Sequence, residues 1–378
     1  MECDASFLPG DIIRNILKRL PVRSLIRFQC VCKDWKNLFR TPSFIEDHLH
    51  HSTHQNPSLI LHGHPLLNPL DLYMLNREMQ VLEVHRAPSN EYLAGAVIIG
   101  SINGLLCARL SNPSQSILLW NPATRKVRLV ARTVNSTESF KLGFGFSSVV
   151  NDHKIVSIGV FVPKDLIHRV EVYSLSTKSW KNVEFEDLLN GVAVKSDGFC
   201  TNGAIFWFGF KPNVGHLLVS YDIGTEMFTF IPSPISAPAL HDSFCNSLTE
   251  HENKLAMLSH TTVGNFESSL VDLWVMEEGT GAFGERWNWT KRYSIRHPCI
   301  LLPGVIFRNM IICHFYVLKS RVTASEHEVL NDGPNIVTVN LTTDELKRFT
   351  FLKCGTGFGV FNYVESLVPV GNNDTEEL

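Results

Sequence analysis

No apolar run in the 378 residues approaches the roughly 18 residues that a membrane-spanning helix needs. The first residues, MECDASFLPGD, also lack the basic start and apolar core of a secretory leader. We therefore expect no membrane association, and a location in the cytoplasm, the nucleus or both.

Positive charge is scarce outside the N-terminal region. Residues 51–378 carry 26 lysines and arginines against 31 aspartates and glutamates, whereas residues 8–40 carry eight basic residues against Asp11 and Asp34. A surface of this composition gives no electrostatic reason to expect nucleic acid as a partner. The small basic region fits a protein-docking face instead.

The nine cysteines show no paired framework, because most stand singly in apolar segments. This usage predicts reduced, buried thiols rather than disulfides. Cys30 and Cys32 are separated by one residue, whereas zinc and redox motifs space their cysteines by two or more. We interpret His48 and the three histidines that follow it by position 54 as solvated side chains at a helix end. No metal and no cofactor is therefore predicted.

Catalytic motifs are missing as well. The sequence has no G-x-S-x-G nucleophile turn, no H-E-x-x-H zinc motif and no G-x-x-x-x-G-K-[ST] phosphate loop. The glycine-rich CGTGFGVF at 354–361 leads into a strand-like segment rather than a helix whose N-terminus could bind phosphate. We expect a protein that is not an enzyme, and no catalytic residue is predicted.

The first fifty residues have the apolar spacing of short helices. In LPGDIIRNILKRLPVRSLI the apolar residues form one stripe, with Pro9 near the start of a helix of about ten residues and Pro21 at its end. A second helix is predicted from Val22 to about Phe28, and a third from Val31 to Phe39. Thr41-Pro42 predicts the cap and first residue of a fourth. A cluster this small needs a partner or the rest of the chain to complete its core.

Residues 6 to about 48 resemble an F-box, the helical module that docks on the Skp1 adaptor of cullin-based ubiquitin ligases. The resemblance implies Skp1 contacts at the positions that match the F-box pattern: Leu8, Pro9, Ile12, Ile16, Leu17, Leu20, Pro21, Leu25, Cys30, Val31, Cys32, Trp35 and Leu38. The pairs Leu8-Pro9 and Leu20-Pro21 are expected at the contact, with Val31 and Trp35 more internal. The same apolar residues could instead close a local core, and both roles can hold because a helix cluster has two faces.

From about residue 50 onward the sequence changes to alternating apolar segments with glycine and proline turns. A short motif recurs at LWNPATRKV (119–127), VYSLSTKSW (172–180), SYDIGTEMF (220–228) and TVNLTTDEL (338–346). In each copy a small polar residue is followed after three positions by threonine and after six by an apolar residue. This spacing predicts a strand, a tight turn and a returning strand.

Another recurring strand precedes the motif, with copies that begin at residues 103, 152, 202, 252 and 308. A period of about 50 residues predicts an all-β, kelch-like propeller with about six irregular blades. A closed ring of blades leaves no open sheet edges. We therefore expect the terminal stretch FNYVESLVPV (361–370) to pair with the first repeat of the propeller.

Motifs spread over roughly residues 95–368 resemble the F-box-associated kelch-like region of plant F-box proteins. They include GSINGLLC, LWNPATRKVRL, LGFGF, VDLWVMEE and YVESLVPV. This group contains the S-locus pollen type and a type linked to turnover of immune receptors. The paired glycines of kelch repeats are missing, which favours an irregular propeller. The expected domains are an F-box at 1–50 and a substrate-recognition propeller at 51–378.

The resemblance implies a substrate-recognition subunit of an SCF (Skp1–cullin–F-box) E3 ubiquitin ligase, joined through a Skp1-type adaptor to cullin and RING subunits. The propeller would bind an unknown target protein through loops at one rim. The candidate loops are 163–168, 211–216, 277–289 and 319–334.

The third candidate loop contains Phe283, Arg286 and Trp287, residue types that dominate binding hot spots. Alternatively, it is an insertion that packs on its own blade. Two other functions stay open at this point. One is a non-degradative, Skp1-bound scaffold, and the other is a sensor whose small-molecule ligand completes the target surface.

Overall fold

The computed structural model describes residues 8–62, 71–86, 96–110, 116–132, 139–185, 188–235, 246–263, 268–278, 287–298, 300–316, 335–350 and 359–371. A few helices at the N-terminal end precede a chain built mainly of β-sheets in a propeller arrangement. The chain divides into two compact units. Residues 1–60, 69–136 and 361–378 form the first unit, and residues 61–68 and 137–360 form the second.

The helices are α1 (Gly10–Leu17), α2 (Val22–Phe28), α3 (Lys33–Leu38) and α4 (Pro42–Gln55). Local signals set their limits as predicted, since Pro9 and Pro21 precede α1 and α2. The Thr41 hydroxyl accepts a hydrogen bond from the Phe44 N–H at 3.3 Å and caps α4. Three details differ: α1 is shorter than predicted, α3 begins two residues after Val31, and α4 continues beyond residue 50.

Two four-stranded sheets follow the helices in the first unit. The first has the strand order β25-β1-β2-β3 and contains β1 (Ser58–His62), β2 (Asp71–Leu75), β3 (Val81–Arg86) and β25 (Gly359–Tyr363). The second is built in chain order from β4 (Val97–Ile102), β5 (Leu105–Arg109), β6 (Ile117–Asn121) and β7 (Lys126–Val130). The pairing of β25 with β1 confirms that the predicted terminal stretch, residues 361–370, begins by joining the first repeat, although the strand ends at Tyr363.

The second unit contains one nine-stranded sheet and two four-stranded sheets. The nine strands are β8 (Ser139–Ser147), β9 (Asp152–Phe161), β10 (Leu166–Ser174), β11 (Ser179–Asn182), β12 (Ala193–Val194), β13 (Phe199–Thr201), β14 (Ala204–Lys211), β15 (Gly215–Asp222) and β16 (Phe228–Pro232). One four-stranded sheet contains β17 (Ser247–His251), β18 (Lys254–Val263), β19 (Ser268–Glu278) and β20 (Trp287–His297). The other contains β21 (Ile300–Phe307), β22 (Met310–Tyr316), β23 (Asn335–Asn340) and β24 (Leu346–Thr350).

The number of separate blades corrects the sequence prediction. The described residues form four separate four-stranded blades rather than about six. The reason is the two-residue strand β12, which pairs with β10 through Leu166 and Ala193 and with β14 through Ala193 and Phe210. It therefore joins the strands of two predicted repeats into the nine-stranded sheet.

The recurring turn motif has the same hydrogen bond in all four copies. The side chain of the small polar residue accepts from the N–H of the threonine three positions later, at 3.2 Å for Asn121, 3.2 Å for Ser174, 2.7 Å for Asp222 and 3.1 Å for Asn340. The residue after each threonine has a positive φ between 57° and 59°. The predicted strand–turn–strand unit is thus confirmed, and the polar residue holds the turn closed.

Candidate functional site

The helices pack around a small apolar core of their own. Its buried members are Leu17, Val22, Leu25, Phe39, Phe44 and Leu367. Trp35 and Leu38 pack against this core while partly buried, and Trp35 lies 5.6 Å from the Phe28 ring. One core residue, Leu367, comes from the far end of the chain. The helical cluster therefore completes its core with a segment that follows the last strand.

The opposite face of α1 is apolar and exposed. Leu8, Ile12 and Ile16 are 50%, 46% and 48% exposed. Ile12 and Ile16 are four residues apart on α1, so they lie along one side of the helix, and Leu17 faces the core from the other side. Leu8 precedes Pro9, the N-cap residue of α1. Pro9, Pro21 and Val31 are also exposed. We call Leu8, Ile12 and Ile16 the apolar stripe.

The predicted contact residues fall into three groups, which are exposed, half-buried and buried. Leu8, Pro9, Ile12, Ile16, Pro21, Cys30 and Val31 are exposed, and Leu20, Cys32, Trp35 and Leu38 are half-buried. Two corrections follow. Leu17 and Leu25 are 2% and 0% exposed, so they hold the helices together and are not available to a partner. Val31 was expected to be internal but is 62% exposed, because it lies in the turn before α3.

Polar contacts fix α4 against the other helices. The Arg14 guanidinium donates to the Asp47 carboxylate at 2.8 Å and lies 5.7 Å from the centre of the Phe44 ring. His48 corrects the expectation of a solvated side chain, since it is 1% exposed and its Nε2 lies 3.0 Å from the Leu20 carbonyl oxygen. Burial lowers the pKa of His48, which favours a neutral ring that donates to this carbonyl.

The segment 364–370 connects the helices to the β4–β7 sheet within the first unit. On one side the Glu365 carboxylate accepts a hydrogen bond from the Val22 N–H at 3.1 Å, at the first residue of α2. Burial raises the pKa of Glu365, while this hydrogen bond opposes the shift. Leu367 enters the helical core beside it. We call residues 364–370 the C-terminal segment.

On its other side the C-terminal segment is held by fully buried Asn121. The Asn121 amide donates to the carbonyl oxygens of Ser366 at 3.0 Å and Val368 at 2.8 Å. The Ser366 hydroxyl donates to the Asn103 carbonyl at 2.6 Å. Gly104 has a φ of +79°, and a Cβ there would lie 2.4 Å from the Ser366 Oγ. The close approach of the C-terminal segment therefore requires glycine at this position.

Two of the predicted target loops lie around a single cavity in the second unit. Loop 163–168 includes the β9–β10 turn, and loop 211–216 includes the β14–β15 turn. Lys164 from the first and His216 from the second line a cavity of about 470 Å³. Loop 319–334 lies outside the described residues.

The hot-spot residues of loop 277–289 are described in part. Trp287 begins β20 opposite Glu278 and is 43% exposed. Phe283 and Arg286 lie outside the described residues. The structure therefore gives Trp287 an accessible ring and leaves the other two residues as predictions.

The described residues contain neither a metal-binding cluster nor a membrane-spanning helix. No group of three or more His, Cys, Asp or Glu within the described part of the chain could hold a metal ion. None of the described helices has the length and apolar character needed to cross a membrane. Cys107, Cys200 and Cys313 are buried thiols, as predicted.

Two known domain families match the sequence. Residues 6–47 match the F-box domain, and residues 71–333 match the F-box associated beta propeller domain. The second match covers more than half of the chain. The chain belongs to the F-box-associated β-propeller family. This result confirms the resemblance seen in the sequence motifs.

Plant F-box proteins are among its relatives. The F-box protein CPR1 of Arabidopsis thaliana is 26% identical over 322 residues, which cover 77% of this chain and 73% of that protein. The F-box/WD-40 repeat-containing protein 1 of Arabidopsis thaliana is 25% identical over 398 residues, covering 99% of this chain and 91% of that protein. Among solved structures, TolB from Acinetobacter baumannii has a TM-score of 0.50 at 10% identity, covering 85% of this chain and 73% of TolB, a likeness of fold alone.

The F-box match indicates a protein-binding role for the N-terminal helices. An F-box implies a partner of the Skp1 type, and proteins with an F-box and a propeller are typically non-catalytic adaptors. Sequence reasoning missed the role of the C-terminal segment in the F-box core. The signal available was the apolar Leu367 beyond the last strand, but spacing along the chain could not reveal which surface it covers.

Proposed function

We propose that this F-box protein is the substrate-recognition subunit of an SCF-type E3 ubiquitin ligase. It docks on a Skp1-type adaptor, and through it on cullin and RING subunits, and it presents a target protein for ubiquitination. The observation that supports the proposal most directly is the apolar stripe. Ile12 and Ile16 on α1 and Leu8 just before it are exposed, large aliphatic side chains of a helical cluster that has a buried core of its own.

An exposed apolar stripe of this kind is suited to burial against another protein. Fully burying one aliphatic side chain contributes about 1.5–3 kcal/mol. Leu8, Ile12 and Ile16 each have about half of their surface left to bury. Together they would supply about 2–5 kcal/mol of an interface, enough to change its affinity by more than tenfold. Pro9 and Pro21 are also exposed, and they offer rigid contacts because proline fixes its φ angle.

This chain would accelerate ubiquitination without chemistry of its own. Holding a target lysine near a charged ubiquitin-conjugating enzyme raises its effective concentration. Rigid β-sheets suit this role because they fix distance and orientation, and Trp287 offers an accessible aromatic side chain for a target contact. The reaction takes place in the cytoplasm, the nucleus or both under this proposal, and it requires no cofactor.

Titration calorimetry of the full chain with purified Skp1 tests the docking step. The variant Ile12→Asp/Ile16→Asp should weaken Skp1 binding by at least tenfold, because two carboxylates replace the apolar stripe. Leu129→Asp is a matched control, since Leu129 is 49% exposed but lies in β7. Equal Skp1 affinity for the stripe variant and the control would refute the docking surface.

A second assay separates a ligase receptor from a non-degradative scaffold. Loss of the protein should raise the abundance of at least one cellular protein while lowering its ubiquitination, measured by quantitative proteomics. If Skp1 binds normally and no such protein accumulates, the scaffold function is correct instead.

A further inference from the structure

The cavity in the second unit lies where two hairpins of the nine-stranded sheet end. It is bordered by the β9–β10 turn, the β14–β15 turn and the short bridging strand β12. Its apolar lining includes Leu166, Phe208 and Ile235. Its volume of about 470 Å³ falls in the range of roughly 300–1,000 Å³ typical of ligand pockets.

The rim of the cavity exposes large apolar side chains. Phe161, the last residue of β9, and Val162, the first residue of the β9–β10 turn, are 60% and 71% exposed and precede the lining residue Lys164. Val214 is 63% exposed between the lining residues Pro212 and His216. Apolar side chains gathered in this way mark a surface that another molecule covers. The rim extends beyond the cavity, so an occupant that buries both must be longer than a compact small molecule.

The ionisable side chains that line the cavity are all basic. Its described lining includes Lys164, Lys195, His216 and His260, and no aspartate or glutamate. Asp165 lies beside it and pairs with Lys195 at 3.4 Å, so the lysine is held at the cavity while part of its charge is offset. Positive groups beside an apolar floor select a ligand that carries both an apolar side chain and a negative charge.

Resting on the proposed function, we propose that this cavity binds a short acidic-apolar peptide segment of the target protein. An apolar side chain packs against the lining residues Leu166, Phe208 and Ile235, and an adjacent aspartate or glutamate lies near Lys164 and Lys195. The exposed rim residues Val162 and Val214 cover the backbone on either side. The site thus recognises a local sequence rather than the folded surface of its target.

A displayed library of random heptapeptides tests this site on the full chain alone. Panning should enrich peptides in which Asp or Glu neighbours a large apolar residue. The best peptide, labelled with fluorescein, should bind at least tenfold more weakly in fluorescence anisotropy to Lys164→Glu/Lys195→Glu, and its affinity should fall as salt rises. Val214→Asp, at the exposed rim, should also weaken binding.

Lys178→Glu is the matched control, because Lys178 is exposed at the opposite end of β10, in the turn before β11. It should bind the peptide as the wild type does. The proposal would be overturned by enrichment of basic peptides, or by equal binding of the best peptide to the Lys164/Lys195 variant and to the control. It would also be overturned if panning on the wild type enriched no peptides relative to panning on the Lys164/Lys195 variant. Since no adaptor is present in this assay, such a result is distinct from a failure of Skp1 binding.

Discussion

Replacing Leu367 by alanine should weaken the F-box although no residue of the helices is changed. Leu367 is 8% exposed and packs in the helical core with Leu17, Val22, Leu25 and Phe44. The substitution removes three carbon atoms, or about 2.4 kcal/mol at about 0.8 kcal/mol each, and leaves a cavity that adds to the loss. We expect the helical cluster to lose about 3 kcal/mol of stability.

Hydrogen exchange followed by mass spectrometry measures this loss directly. Protection in α1 and α2 should fall by about 100-fold, since each 1.4 kcal/mol is a factor of ten. Protection in the β17–β20 sheet should not change. Skp1 affinity should fall as well, because a binding-competent state that is less populated lowers the apparent affinity.

Val368→Ala is the control for this experiment. Val368 is the next residue, it is half-buried, and it lies outside the helical core. It should leave protection in α1 and α2 within a few-fold of the wild type. If Leu367→Ala and Val368→Ala gave the same exchange pattern, Leu367 would have no special role and the reasoning would be wrong.

Two further predictions concern a buried histidine and a buried amide. His153 is fully buried between Phe144 and Phe146, and burial lowers its pKa to about 4. The unfolded chain binds a proton at His153 more readily than the folded chain does. The free energy of unfolding should therefore be highest above pH 6.5 and fall by about 3 kcal/mol as the pH drops to about 4. Denaturant unfolding of His153→Phe should show a smaller fall. Asn121→Ala should destabilise the first unit by about 2–3 kcal/mol in thermal unfolding, because it loses the turn bond and two bonds to the C-terminal segment. Asn340→Ala, which loses bonds within an exposed turn, should cost about 1 kcal/mol, and equal losses would contradict this account.

Elements fixed by short-range chemistry could be predicted from the sequence. The limits of α2 and the cap of α4 follow from Pro21 and Thr41, each acting within a few residues. The repeated turn is equally local, since its polar side chain bonds an amide three residues away. Such contacts leave a pattern in the sequence because the partners keep a constant spacing.

Contacts between distant residues left no such pattern. The Glu365 carboxylate and the Val22 amide are 343 residues apart, so spacing gave no reason to join them. The apolar stripe and Leu17 are all apolar residues at helical spacing, so the sequence does not show which of them are buried. That depends on which side of α1 the other helices cover. The strand β12 has two residues, too few for an alternating pattern, yet it decides the number of separate blades.

The C-terminal segment changes how an F-box of this family member should be understood. Its Leu367 completes the helical core, its Glu365 binds the start of α2, and Asn121 at the end of β6 holds its backbone. The helices and the β4–β7 sheet are therefore joined by a buried segment rather than only by the chain between α4 and β1. A flexible attachment would let a bound target sample many positions, which lowers its effective concentration at the ligase. The buried connection limits that freedom within the first unit. Under the proposed function, the residues after the last strand would therefore act through orientation rather than through contact with either partner.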